Sequence, residues 1–400
     1  MHKVDKILVV GAGIAGCCMA IALAARGFTV SLIEKQDEWR FQSSGIFVYS
    51  NGLSSLHSIG VLDHVLAAGY IIENGRNVYF DHRGNHLIDV FYPTADDGRV
   101  PAILGIKRAE LHRILANQLK HFGLSAELGT TVQRLGQTSD RVEIEFSNGA
   151  IENFDLVVAA DGLRSQMRHL AGFDIQPRYS GLGVWRSVHD RPVDLCDKIM
   201  MMGPGKRYGI MPISADKLYT FGTIVEPEGK WYDSHAWPET MAAKFQEFEG
   251  PARRFIEELG SRSEVLYTAV EEIVMPLPWH AGRVVLIGDA AHASTPFMGQ
   301  GGAMGVQDAV ILARLLDSDN DVGTILQAYG EARKPLCRFA QDVSRQVGEN
   351  GAASASHSAA DNDRFRQTAQ RNVDIFYNKL AELNRSAQSV VADTVGMPVS

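Results

Sequence analysis

Two glycine-rich stretches set the chemistry open to this chain. The first, Gly11-Ala12-Gly13-Ile14-Ala15-Gly16, follows the apolar run Ile7-Leu8-Val9-Val10 and opens the helix-forming stretch Cys17 to Ala25. In a strand, turn and helix setting the three glycines have separate tasks. Gly11 permits a tight turn, Gly13 lets a pyrophosphate approach the backbone, and Gly16 allows helix and strand to touch. The next apolar strand, Phe28 to Ile33, ends at Glu34. A carboxylate there accepts both ribose hydroxyls of an adenosine and repels a 2′-phosphate, so FAD or NAD suits this end better than NADP. A lone glycine pattern also describes an ordinary strand-to-helix turn; the position of this one and Glu34 argue for the nucleotide.

The second stretch decides between the two cofactors. Arg283-Val284-Val285-Leu286-Ile287 has a buried-strand pattern and runs into Gly288-Asp289-Ala290-Ala291-His292, followed by Gly299-Gln300-Gly301-Gly302-Ala303-Met304-Gly305. An aspartate in that place can bind a ribitol hydroxyl. The glycines leave backbone N–H groups bare at the start of a helix expected from Met304 to Leu316. The positive end of a helix suits the N1–C2=O edge of an isoalloxazine, which becomes anionic on reduction. NAD has no such part, and the two motifs together point to FAD.

These motifs reach a family. Gly11 to Gly16 with Glu34, the run Asp155 to Ser165, and Gly288 to His292 with Pro296 and Gly299-Gln300-Gly301 occur in the order and spacing that resemble the three fingerprints of the single-component FAD-dependent aromatic hydroxylases, the group of para-hydroxybenzoate and salicylate hydroxylases. The likeness covers residues 5 to about 340. It implies non-covalent FAD held by Gly11, Gly13, Ala15, Gly16, Glu34 and Lys35 at the dinucleotide end. Asp161 and Gly162 would sit near the pyrophosphate, with a part in NAD(P)H binding. Asp289, Gly299, Gly301, Gly302 and Ala303 would hold the ribitol and flavin. Ser44-Gly45-Ile46, with Asn51, Leu56 and Gly60, resembles the segment beside the flavin ring. Arg108-Ala109-Glu110-Leu111 resembles the family's Arg-x-x-Leu helix, whose arginine reaches the FAD, and Val132 the residue that contacts adenine through its backbone.

The same resemblance implies the reaction. NADH or NADPH reduces the flavin, O2 adds at C4a, and the hydroperoxide hydroxylates a small activated aromatic or N-heteroaromatic ring. By likeness to a hydroxylase group with Gly-Lys-Arg followed by Met-Pro, Arg207, Met211 and Tyr219 line the substrate pocket. Arg207 would bind an anionic substrate, and Tyr219 would hydrogen-bond or stack on its ring. Alternation in half-buried strands also produces a turn arginine and a sheet aromatic at such places. Pro296 is expected at the flavin edge, completing a catalytic set with Arg207 and Tyr219. Phe297 stands where urate-hydroxylating relatives place a carboxylate, which argues against a purine. With Trp185, Met201 and Phe221 as neighbours it favours a planar ring. His292 resembles a framework residue more than a base. Rival readings on this scaffold are a halogenase, whose Trp-x-Trp-x-Ile motif is missing, a prenyl reductase, or a non-catalytic FAD-binding protein.

Positioning these residues requires an α/β chain: a Rossmann-like FAD-binding domain of the glutathione-reductase type, an interleaved substrate domain built on a mixed β-sheet, and C-terminal helices. The FAD-binding domain is expected over 1–75, 100–181 and 276–340, the substrate sheet over 76–99 and 182–275, and the helical segment over 341–400. Asn77 to His82 and His86 to Val90, joined at Arg83-Gly84-Asn85, read as a hairpin; Arg108 to Phe122 reads as a helix. Gly348 to Ala360, rich in Gly, Ala and Ser, reads as a loop or break, and Asp361 to about Ala392 as a helix available for a dimer contact. With 400 residues, 45% of them hydrophobic, the chain has enough apolar material for two fused cores. A net charge of −8 argues against nucleic acid or an anionic membrane as partner. No apolar run is long enough to span a membrane. Met1 to Lys6 leads into the first strand without a signal-peptide pattern, so a cytoplasmic enzyme, monomer or homodimer, is expected. Cys17, Cys18, Cys196 and Cys337 form no C-x-x-C pair; reduced thiols and no metal are expected.

Overall fold

Continuous apolar runs make the central sheet. In the computed structural model, which describes residues 4–39, 44–353 and 359–396, Lys6–Val10 lies between Leu156–Ala159 and Thr29–Glu34, both parallel to it. Val284–Leu286 and Ala126–Leu128 extend this sheet in parallel on either side, and His280–Ala281 closes one edge antiparallel. Ile7, Leu8 and Val9 are completely buried in a core shared with the helix Ile14–Ala24 and with the antiparallel sheet of Val132–Gln137, Val142–Phe146 and Ile151–Phe154, which is why these strands carry no polar alternation. The first three residues, and the middle of the expected break at 348–360, lie outside the described residues.

The second large sheet has seven strands, in the order Val265–Glu272, Arg178–Asp190, Lys217–Val225, Lys206–Pro212, Lys198–Gly203, Arg76–Asp81 and His86–Phe91. The last two form the expected hairpin, turning at Gly84 with φ +85°. One face of this sheet packs Val78, Trp185, Ile199, Met201, Tyr208 and Ile210 against Phe245, Phe248 and Phe255. Phe245 and Phe255 come from the helices Trp237–Phe245 and Gly250–Glu257, which the alternation-based reading of 182–275 did not separate from the sheet. The opposite face looks back at the nucleotide-binding sheet. A small antiparallel sheet, Gly45–Tyr49, Ile103–Lys107 and Tyr70–Ile71, bridges the two. Glycine permits this bridge: a Cβ on Gly105 would stand 1.9 Å from the Pro212 carbonyl oxygen, and one on Gly45 2.4 Å from the Tyr219 side chain.

Three helices complete the chain. Gly301–Leu316 packs on Ile14–Ala24, Val322–Ala353 crosses behind it, and Ala359–Val395 returns over the seven-stranded sheet. The expected break from Gly348 is a helix as far as Ala353, and its glycines have a packing reason. A Cβ on Gly348 would stand 2.4 Å from the Phe297 ring, and one on Gly351 2.7 Å from Arg207 Nε. The final helix, expected as a dimer contact, packs on its own chain. Gln370 brackets the Phe91 backbone, accepting from its N–H at 2.8 Å and donating to its carbonyl at 2.9 Å, and the Phe365 ring lies 4.9 Å from that of Tyr79. Among the described residues no helix is long and apolar enough to cross a membrane. All four cysteines are free.

The helix layer is tied by a buried carboxylate. Asp308 accepts from His292 Nε2 at 2.6 Å, from Arg333 Nε at 2.7 Å and from the Gly288 backbone N–H at 2.8 Å. Burial alone would raise its carboxyl, but the His292 imidazolium and the Arg333 guanidinium outweigh that and hold it well below the usual carboxylate range. Asp308→Asn strands two buried cations and should lower unfolding stability in urea by about 3–5 kcal/mol at neutral pH. A group whose folded pKa is depressed stabilises above its unfolded value, near 3.9, and loses that contribution as pH falls. The gap between wild type and variant should therefore be fully present at pH 6 and narrow on acidification below about pH 4.

Candidate active site

A cavity of about 1170 Å3 opens between the glycine turns and the inner face of the seven-stranded sheet. At one end lies the first glycine motif. Gly11 takes φ +99°, and a Cβ on it would meet the Ala160 carbonyl oxygen at 2.6 Å; one on Gly16 would stand 1.8 Å from the Gly11 oxygen. Both therefore serve close backbone packing, as the spacing predicts. Gly13 differs: a Cβ there would meet nothing within 4 Å, and no side chain caps the helix it begins. An open cradle before an uncapped helix N-terminus is an anion site, and it fits a pyrophosphate. Glu34 is aimed at the same turn, its two oxygens accepting from the Ala12 and Gln36 backbone N–H groups at 2.9 and 3.0 Å. Thr130 donates its N–H to the Glu34 carbonyl, placing the Val132 backbone at this nucleotide end, while Lys35 stays exposed beside it.

The second motif forms the other end. Gly288, at φ +58°, turns the chain so that Asp289 enters the cavity wall, and the helix Gly301–Leu316 starts there without a side-chain cap. Gly301, Gly302 and Gly305 line the wall. Ala303 is turned away, its side chain filling the space over Gly52, so only its backbone remains for a cofactor. Arg108 projects into the cavity. Burial lowers its guanidinium, and the charge of Asp289 pulls it back up. A carboxylate, an arginine and a bare helix N-terminus around one open volume fit the ribitol and the N1–C2=O edge of a flavin. The residues present thus fit FAD at both ends.

Opposite the flavin end stands an aromatic wall. Tyr219 and Phe221 are stacked at 5.5 Å, and Phe47 lies 5.6 Å from Phe221. Pro296 and Phe297 border the cavity, and Arg207 lies 5.9 Å from the Phe297 ring. Arg207 donates Nη2–H to the Val347 carbonyl at 2.6 Å, while its buried Nε–H has no acceptor. Burial lowers this guanidinium. Burial likewise raises the Tyr219 phenol, and Arg186 and Arg108 oppose that shift.

Three expectations, for Trp185, Met201 and Met211, are corrected by strand phase and packing. Trp185 and Met201 lie on the outer face of the sheet, Trp185 between Tyr232 and Tyr267, because the cavity takes their alternates Val184, Arg186, Met200 and Met202. Met211 shares the inner face with Arg207 but is completely buried against Gly105, beneath the cavity and outside its lining. Asp161 sits beside Gly162, yet its carboxylate caps a helix start, accepting from Ser165 Oγ at 2.5 Å and the Met167 N–H at 2.9 Å. Lining residues that sequence reasoning passed over are Tyr49, Tyr79, Tyr92, Arg186, Lys198 and Phe365. Lys198 is in phase with Met200 and Met202, but only packing shows that this phase faces the cavity. Phe365 gave no signal, because its helix reaches the cavity only through tertiary packing.

The sequence profile of the family described as "FAD binding domain" matches residues 5–344. The 2-heptyl-3-hydroxy-4(1H)-quinolone synthase of Pseudomonas aeruginosa is 33% identical over 350 residues, covering 86% of this chain and 89% of that protein. The aurachin C monooxygenase/isomerase of Stigmatella aurantiaca is 32% identical over 347 residues, covering 86% and 89%. The crystal structure of Klebsiella pneumoniae HpxO with FAD and uric acid superimposes with a TM-score of 0.78 at 26% identity, covering 99% of this chain and 98% of that one.

Removing the Asp289 carboxylate should weaken FAD binding by roughly 1.5 to 3 kcal/mol, the range for a charge-assisted hydrogen bond. Flavin fluorescence titration of apoprotein checks this. Unchanged affinity in Asp289→Ala takes that residue out of the flavin site.

Proposed function

This chain belongs to the FAD-binding-domain family, that of the FAD-dependent aromatic-ring monooxygenases, and we propose that it uses NADH or NADPH and O2 to hydroxylate a small, electron-rich aromatic or N-heteroaromatic ring. The observation that carries the reading is the wall of Phe47, Tyr219, Phe221 and Phe297 standing across one cavity from the bare helix start at Gly301. FAD bound there supplies the chemistry of reduction by a nicotinamide and of oxygen transfer from O2. The chain's own residues bind, orient and keep water out. Ring faces at 5.5 to 6.5 Å from one another prefer a planar apolar guest. Arg207, with an unpaired Nε–H, offers a donor at the edge of that wall. Tyr219, 5% exposed, adds a hydroxyl.

Within ring substrates, the apolar lining beyond the wall favours a fused or substituted ring. Leu87, Met200, Met202, Phe365, Val373 and Phe376 continue the cavity under the final helix. The relative named as a 2-heptyl-3-hydroxy-4(1H)-quinolone synthase supports a hydroxylated N-heterocycle carrying an alkyl arm. The absence of a carboxylate at Phe297 speaks against urate.

Three measurements test the function. Stopped-flow reduction of the bound flavin by NADH or NADPH should be slow alone and accelerate strongly with a suitable phenolic or hydroxy-heteroaromatic ring; equal rates across a ring panel would contradict the reading. Arg207→Ala and Tyr219→Phe should keep their FAD while diverting NAD(P)H consumption into hydrogen peroxide, because a misplaced ring misses oxygen transfer. Phe297→Asp should depress turnover by placing a charge against an apolar ring face. Full coupling in all three variants would put the pocket elsewhere on the sheet.

A further inference from the structure

Lys198 opens the strand Lys198–Gly203 and faces inward with Met200 and Met202. It lines the cavity, yet the residue is only 4% exposed. Its Nζ donates to the Tyr49 hydroxyl at 2.9 Å and stands 4.7, 5.1 and 5.3 Å from the ring centroids of Phe47, Tyr92 and Tyr49. Among the described residues no carboxylate pairs with it, and burial by itself lowers its ammonium to about 7. In the neighbouring strand Asn77 pairs in register with Lys198 and is completely buried. That amide is close enough to Tyr79 and Tyr92 to bias their ionisation, yet neither its nitrogen nor its oxygen completes a hydrogen bond.

An unpaired buried ammonium beside an unsatisfied buried amide is expensive as packing. Methionine fills the next two inward positions of the same strand and would fill this one. Ring faces return part of the lost hydration, and they do so without neutralising the charge. Phe47 belongs both to this cage and to the wall facing the flavin end, through Phe221 at 5.6 Å and Tyr219 at 6.5 Å. A ring lying along Phe47 can therefore meet the ammonium with one edge and the reacting end of the cavity with the other. Arg207 lies at the Phe297 side of the wall, 5.9 Å from that ring, and offers its Nε–H there.

We propose that Lys198, supported by Tyr49 and Asn77, receives the acidic ring oxygen of a hydroxy-heteroarene substrate and holds it as the oxyanion. The inference rests on the ring-hydroxylating function above. In the step assigned to it, the neutral-amine form of Lys198, which burial makes accessible near neutral pH, takes up the proton: the substrate O–H bond breaks, an N–H bond forms on Nζ to restore the ammonium, and the electron pair stays on oxygen. The product is an ammonium–oxyanion pair, with no co-reactant consumed. An oxyanion donates into its ring and makes the carbon to be hydroxylated more nucleophilic, so Lys198 acts on the reacting molecule itself.

The test uses FAD-loaded protein, with 3-hydroxyquinoline and its oxygen-free counterpart quinoline as probes. Wild type should bind 3-hydroxyquinoline at least tenfold more tightly than quinoline, and the bound probe should show the absorbance band of its anion at a pH where the free compound is neutral. Lys198→Met should lose at least tenfold in affinity and the anion band, while retaining FAD; Lys198→Arg should keep most of the affinity. Equal affinity and spectrum in wild type and Lys198→Met overturn the proposal, as does a wild-type preference for quinoline. Loss of FAD from both variants overturns it too, by making Lys198 a structural residue. If rings still stimulate NAD(P)H oxidation in those cases, only the Lys198 assignment falls. If no ring stimulates it in wild type, the hydroxylase reading falls with it.

Discussion

Asp308 is the interaction on which the flavin end depends. One carboxylate accepts from the turn at Gly288, from His292 in the short helix that follows it, and from Arg333 in the long helix behind. It therefore fixes the direction in which Asp289 points, the start of Gly301–Leu316, and the seat of Val322–Ala353 against both. His292 is committed to this framework as a charged partner, its imidazolium held up by Asp308 against the downward pull of burial. The histidine next to the flavin motif is thus a framework group, paired with Asp308. Cys337 stands near the same group, but the carboxylate is already neutralised by two cations, so the trio of His292, Asp308 and Cys337 is an ion-pair framework.

From that anchor the substrate side follows by packing. The long helix carries Gly348 and Gly351 over Phe297 and Arg207, and only hydrogen in place of a side chain allows so close a contact. Arg207 is thereby held by a helix carbonyl, and Phe297 is pressed toward the cavity. The final helix then closes the volume over Tyr79 and Tyr92, with Tyr377 at 5.6 Å from Tyr92. Small residues at element contacts and large aromatic residues at the wall divide the work: the first bring backbones together, the second shape the space left between them.

The charge of the cavity runs against that of the chain. The whole sequence carries −8, while Arg108, Arg186, Lys198 and Arg207 converge on one lining beside Asp289. A cationic interior in an acidic protein suits a cofactor bearing a pyrophosphate and a ring that gains negative charge on reduction. Burial lowers the ammonium and guanidinium groups of Lys198, Arg108 and Arg207, so each gains most from an anion brought in from outside.

What the sequence by itself determined was the cofactor end. Gly11, Gly13, Gly16, Glu34 and the Gly288-Asp289 turn act through backbone geometry and short-range order, and such constraints are written in local residue type and spacing. Strand positions in the substrate sheet were legible for the same reason, as runs of β-forming residues. Which face of those strands looks inward was decided only in three dimensions. Trp185 and Met201 are as apolar as the residues that line the cavity, and nothing in a strand with two buried faces marks the functional one. Lys198 becomes a cavity group only because Arg76–Asp81 pairs beside it, and because Tyr49 and Tyr92, about 150 and 106 positions away in the chain, bring their rings over its ammonium. A long helix broken by glycines in sequence becomes continuous when an aromatic ring and an arginine fill the spaces those glycines leave. Local chemistry could be read from order; the meeting of distant side chains is a property of packing, and it exists only once the sheets and helices have closed around one another.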